Sequence, residues 1–129
     1  MEGDEMKASD LMIGDYILAK PSMMPVQVAA VHNKKIGYHA VTHKLNWIRE
    51  GLLEPIPITE EILEKNGFKG EDDNFFLWYE DLERVLWFDD GYITVTSVKC
   101  DRMYEGNCYN VHELQHALKL CGISKNIKP

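Results

Sequence analysis

The sequence predicts an α+β fold: a small, strongly bent SH3-like β-sheet at the N-terminus, a short central helix, a second antiparallel β-hairpin region and a C-terminal helix. Three observations carry this. Between Tyr16 and Ile56, short runs of branched and aromatic residues are broken by turns built on Pro, Asn and Gly. Thr59-Glu60-Glu61 opens and Asn66-Gly67 closes a short helical pattern. Asp90-Gly91 joins two β-rich runs, and the stretch from Val111 to Cys121 has the apolar periodicity of an amphipathic helix.

Taken in order, Ser9 or Asp10 caps a single turn, Gly14-Asp15 bends the chain, and residues 16–19 form a first strand ending at Lys20-Pro21. From Pro25, Val26, Val28 and Ala30 alternate with Gln27, Ala29 and Val31 as one run, which Asn33-Lys34-Lys35 turns back into residues 36–41. Residues 45–49 and 52–56 add two more short strands across Glu50-Gly51. So few residues cover a core only if their sheet curls on itself, which is the SH3-like expectation.

Thr59 is a favourable N-cap, and Glu60 and Glu61 sit in the first turn, where the helix dipole favours negative charge. Gly67 supplies the left-handed residue of a Schellman stop, with Phe68 folding back on Leu63. Residues 69–74 read as a polar loop. Residues 75–79 and 82–88 then read as strands, Asp90-Gly91 as a two-residue turn into residues 92–99, and residues 103–109 as an edge strand. A single domain with two lobes is expected, 8–58 (β) and 59–124 (α+β), with a frayed tail at 125–129.

Net charge is −7 over 129 residues, and it is unevenly spread. Residues 1–50 carry six acids and six bases, residues 51–90 twelve acids and three bases, and residues 91–129 three acids and five bases. An acidic protein lacks the overall basic footprint of a nucleic-acid binder, which disfavours that class, although the neutral first segment carries Lys34-Lys35 at a hairpin tip. Glu60, Glu61 and Glu64 are the candidate partner-binding residues, facing a basic protein. No signal peptide or membrane-length apolar run is read, and three cysteines, Cys100, Cys108 and Cys121, form no disulfide framework, so a cytoplasmic protein with no membrane partner is expected.

One motif could carry chemistry. His112-Glu113-Leu114-Gln115-His116 matches H-E-x-x-H, in which two imidazoles one helical turn apart bind zinc and the glutamate activates water. Against it, none of the thirteen residues after His116 is His, Asp or Glu, and His32, His39 or His43 have no spacing that recommends them as a third ligand. On a helical wheel Val111, Leu114, Leu118 and Cys121 form the buried stripe, which leaves His112 and His116 on the solvent side with Lys119. Glu113 also falls at N3 after Asn110, where it serves as a capping-box residue. A surface histidine pair is therefore the favoured reading, with no catalytic residue, metal or other cofactor implied. Trp47, Trp78 and Trp87 are expected in the core rather than along a ligand groove, and Cys121 lies on the apolar helix face.

Three stretches together resemble a known group: residues 8–15 (Ala-Ser-Asp-Leu-Met-Ile-Gly-Asp), residues 53–68 from Leu53-Glu54-Pro55 to Asn66-Gly67-Phe68, and residues 111–115 from Val111 to Gln115. The sequence resembles small uncharacterised proteins of gut Bacteroidetes, their phages and mobile elements. The resemblance implies an origin and no assigned reaction. The expected function is a non-enzymatic binding or accessory protein acting by protein–protein contact. Its alternatives are a minimal zinc hydrolase using His112, Glu113 and His116, and nucleic-acid binding through the N-terminal lobe.

Overall fold

The computed structural model describes residues 6–39, 43–71, 74–79, 84–97 and 102–129. The fold is α+β, and the chain divides into two compact units between Ile56 and Pro57. Among the described residues no helix is long and apolar enough to cross a membrane.

The first unit opens with a 3-10 turn, Ala8–Asp10, and continues through β1 (Tyr16–Ala19), β2 (Met24–Gln27), β3 (Ala30–His32), β4 (Lys35–His39), β5 (Leu45–Arg49) and β6 (Leu53–Glu54). These form two antiparallel three-stranded sheets, ordered β2-β1-β6 and β3-β4-β5. The sequence reads residues 26–31 as one run, but the backbone breaks it: Val28 N–H donates to the Asp15 carbonyl at 2.8 Å and Ala29 N–H to the Gly37 carbonyl at 2.7 Å. One apolar run thus serves two sheets. Pro25 is accommodated because β2 is an edge strand, where a missing donor leaves no ladder gap.

The bend at Gly14-Asp15 is more than a turn. Gly14 takes φ 99°, a conformation that favours glycine, and Asp15 is completely buried with Oδ2 accepting from Met12 N–H at 2.7 Å. Its backbone and side chain together fix the entry to β1. The unit's interior is Met6, Ala8, Leu11, Ile17, Ala19, Val26, Val28, Ile36 and Leu53, with Tyr38 and Ile48 packed against it.

The second unit contains α1 (Glu60–Lys65), β7 (Lys69–Glu71), β8 (Asn74–Tyr79), β9 (Arg84–Asp89), β10 (Tyr92–Ser97), β11 (Arg102–Asn107) and α2 (Val111–Leu120). Its antiparallel sheet runs β11-β10-β9-β8-β7. The stretch expected as a loop after α1 therefore contributes a short edge strand, with Lys69 opposite Phe76 and Glu71 opposite Asn74. Asp90 and Gly91, with φ 37° and 81°, form the two-residue turn between β9 and β10, both in the left-handed region that such hairpins need. Leu77, Leu86, Phe88, Ile93 and Val95 are buried on one face of this sheet.

Both helices start and stop as their sequences dictate. Thr59 Oγ1 accepts from Ile62 N–H at 3.2 Å at the head of α1. At its end, Gly67 has φ 93° and Phe68 N–H donates to Leu63 O at 3.0 Å, the Schellman pattern. α2 ends the same way, with Gly122 at φ 74° and Ile123 N–H donating to Leu118 O at 2.9 Å.

The tail expected to fray is instead docked. Asn66 Nδ2 donates to the Lys128 carbonyl at 2.7 Å and Lys128 N–H donates to Asn66 Oδ1 at 2.9 Å. Buried Gln115 repeats the device, donating to the Lys125 carbonyl at 2.8 Å and accepting from Ile127 N–H at 2.7 Å. Ile123 and Ile127 are each 1% exposed. Truncating such a side chain removes apolar burial and leaves a cavity, so Ile127→Ala is expected to lower unfolding free energy by about 2–4 kcal/mol in urea titration. A frayed tail would leave the midpoint unchanged.

Candidate functional site

Glu60 and Glu64 line a cavity of about 870 Å³ in the second unit. Its walls are Ile58-Thr59 and α1 on one side, Gly70 and Phe75 from β7 and β8, the β9–β10 hairpin from Phe88 to Gly91, and Cys108-Tyr109 after β11. Leu63, Phe75, Phe88 and Ile58 supply apolar surface, while Glu60, Glu64, Asp89 and Asp90 supply four carboxylates. Glu61, grouped with Glu60 and Glu64 by sequence proximity, is outside this lining. On a helix, residues four apart share a face and adjacent residues do not, which is why α1 sorts the three glutamates this way.

Backbone bonds tie the walls together. Ile58 N–H donates to Tyr109 O at 2.9 Å, Pro57 bridges Asn110, and Cys108 N–H donates to Gly91 O at 2.7 Å. The Tyr109 ring lies directly on Gly91, whose positive φ and lack of a Cβ are both needed there. Sequence reading missed this wall, because Cys108 and Tyr109 reach the cavity through pairings remote in sequence.

Cys108 is buried, and desolvation, reinforced by the charge of Glu113, pushes its thiol from the ordinary 9.0 up to about 12. It therefore stays protonated at neutral pH, the less nucleophilic form. Cys121 is also buried on the apolar side of α2, whereas Cys100 lies outside the described residues.

The H-E-x-x-H residues are arranged differently from the helical-wheel expectation. His112 is buried, His116 half-buried and Lys119 exposed, so the two histidines do not share an open face. The buried side of α2 is wider than a four-residue stripe because the returning tail binds Gln115 and adds a second covered strip. The imidazole centroids are 5.7 Å apart, edge to face. Glu113 Oε1 accepts from Tyr109 N–H at 3.1 Å, Asn110 N–H at 3.0 Å and Asn110 Nδ2 at 3.2 Å, so the side chain is held in the capping role. Among the described residues no group of three His, Cys, Asp or Glu converges as a metal-ligand set. His39 Nδ1 donates to the His43 carbonyl at 3.3 Å, and His32 accepts from Asn33 Nδ2 at 3.3 Å; neither joins His112 and His116 in such a set.

The tryptophans are not core residues. Trp47, Trp78 and Trp87 are 44%, 48% and 42% exposed. Strand alternation explains the last two. Leu77 and Leu86 face inward, which turns Trp78 and Trp87 outward, with Trp87 opposite Phe76 at a ring separation of 5.6 Å. In the first unit Ile36 faces inward, and Trp47 stands on the other face of the β3-β4-β5 sheet, 5.2 Å from the Lys35 ammonium.

Compared with known protein families, curated proteins and solved structures, the chain matches none.

Two outcomes follow from this geometry. Glu113→Ala is expected to destabilise the protein by about 1–2 kcal/mol through loss of the cap, measured by chemical denaturation. The folded chain holds the Cys108 proton between pH 9.0 and about 12, where the unfolded chain releases it. The thiol's contribution is therefore full below pH 9.0 and is lost as the pH rises toward 12. Peptide mapping after alkylation at mildly alkaline pH should find Cys108 unmodified in the native protein and modified in urea.

Proposed function

We propose that the protein is a non-enzymatic binding or accessory protein, of the phage or mobile-element kind its sequence resembles, and that it docks a basic segment of a partner protein in the acidic cavity of its second unit. The observation that carries this reading is the combination of four carboxylates, Glu60, Glu64, Asp89 and Asp90, with the apolar surface of Leu63, Phe75 and Phe88 in one cavity. Arginine suits such a site because its alkyl stem packs on apolar surface while its planar guanidinium binds carboxylates through two parallel hydrogen bonds. The carboxylates are exposed, so they contribute mainly to encounter rate and selectivity, and the apolar contact contributes the larger share of affinity.

The test is calorimetric titration with a peptide of alternating Arg and Leu, against the same peptide with Glu in place of Arg. Binding of the Arg peptide alone is expected, weakened about 5- to 50-fold by Glu64→Lys and left within about twofold by Glu61→Lys, which lies outside the cavity. Glu60→Gln gives a smaller loss without reversing charge near the helix start. Equal affinity of the Glu61→Lys and Glu64→Lys proteins would overturn the assignment, as would binding of the Glu peptide.

A further inference from the structure

The first unit carries a surface of opposite character. From Tyr16 to Arg49 there is no Asp or Glu in 34 residues, against five Lys or Arg. The strand register gathers two of these groups, together with His32, on one face. His32 lies opposite Lys35, and Lys35 lies opposite Arg49, so a single rung across β3, β4 and β5 holds three cationic or protonatable side chains. The next rung on that face is Ala30, Gly37 and Trp47. Like charges placed directly opposite each other destabilise a sheet, so this rung costs stability unless an anion binds it.

The side chains around the hairpin tip define a recess. Asn33, Lys34, Lys35 and Arg49 line a cavity of about 530 Å³. Among the described residues no carboxylate pairs with Lys34, Lys35 or Arg49. Beside it, Trp47 is 44% exposed, opposite Gly37, on which the Leu45 side chain lies, and the His32 ring meets the indole edge to face at 6.4 Å. The Lys35 ammonium 5.2 Å from the indole centroid keeps positive charge adjacent to the aromatic ring.

We propose that this face of the β3-β4-β5 sheet binds single-stranded nucleic acid, with phosphates in the recess of Lys34, Lys35 and Arg49 and a base stacked on Trp47. Alternating cation and indole match alternating phosphate and base, and stacking on a side chain needs a base that is not already paired. The overall charge of −7 does not oppose this. The excess lies in residues 51–90, and at physiological salt exposed charges are screened beyond about 8 Å, so the local field governs binding. The proposal concerns the first unit alone and goes beyond the acidic cavity; either can fail without the other.

The experiment is fluorescence anisotropy with the full chain and a labelled oligothymidylate of about 12 nucleotides, at rising salt. Three phosphate contacts predict a log–log salt slope of about −2. Trp47→Ala should weaken binding roughly 5- to 100-fold, Arg49→Gln should flatten the slope, and a duplex of equal length should bind more weakly and be insensitive to Trp47→Ala. Arg49→Gln relieves the like-charge pair, so its thermal midpoint should not fall, which separates lost binding from lost fold. No binding at low salt, no effect of Trp47→Ala, or equal competition by polyglutamate would each overturn the proposal, the last by pointing to an acidic protein surface instead.

Discussion

A helix as short as α1, six residues, cannot hold itself in water, because nucleation costs more than so few hydrogen bonds return. Its position depends on what grips its ends. Thr59 satisfies an N-terminal donor, Gly67 and Phe68 close the C-terminus, and the Asn66 carboxamide bonds the backbone of Lys128 from both sides. Gln115 fastens the same tail to α2 through Lys125 and Ile127. Glu60 and Glu64 ride on α1, so what grips this helix also positions two of the four cavity carboxylates. Each carboxamide donates and accepts, so its whole amide is satisfied by the tail's backbone.

Charge is sorted along the chain in a way that the net value hides. Acids are absent from residues 16–49 and crowd into residues 51–90, so one unit offers a cationic sheet face and the other an anionic cavity. Strand register does the rest of the sorting. It places His32, Lys35 and Arg49 in one rung of the first unit. In the second, the turn at Asp90-Gly91 holds two of the four cavity carboxylates at the end of β9. A protein with two surfaces of opposite sign is suited to joining partners of opposite sign, which is the sense in which the proposed docking and nucleic-acid faces complement each other.

The features legible in the sequence are those with local causes. Thr59 and the two Gly-based stops needed only neighbours within a turn, as did the Asp90-Gly91 hairpin and the Asn110-to-Glu113 cap. The bend at Gly14-Asp15 is a further local feature, with its positive φ at Gly14 and its buried Asp15 carboxylate. Features fixed by distant partners were not legible. β7 is polar and short, and it becomes a strand only because β8 offers an edge; the break at Val28-Ala29 depends on Asp15 and Gly37. Burial of His112 departs from the helical wheel, because α2 buries more than one stripe and also covers Gln115, which binds the returning tail. The tryptophans follow the same logic: composition suggested core, but alternation with Ile36, Leu77 and Leu86 turns them outward. The acid-free run of residues 16–49 was present in the sequence, and it was the available sign of the cationic face.

The most direct test of two separate docking surfaces is an amide chemical-shift titration of the full chain, first with the Arg–Leu peptide and then with the oligothymidylate. The account predicts two footprints that do not overlap: residues 58–64, 88–91 and 108–109 for the peptide, and residues 32–37 and 45–49 for the oligonucleotide. A shared footprint, or shifts from either probe scattered over both units, would contradict it.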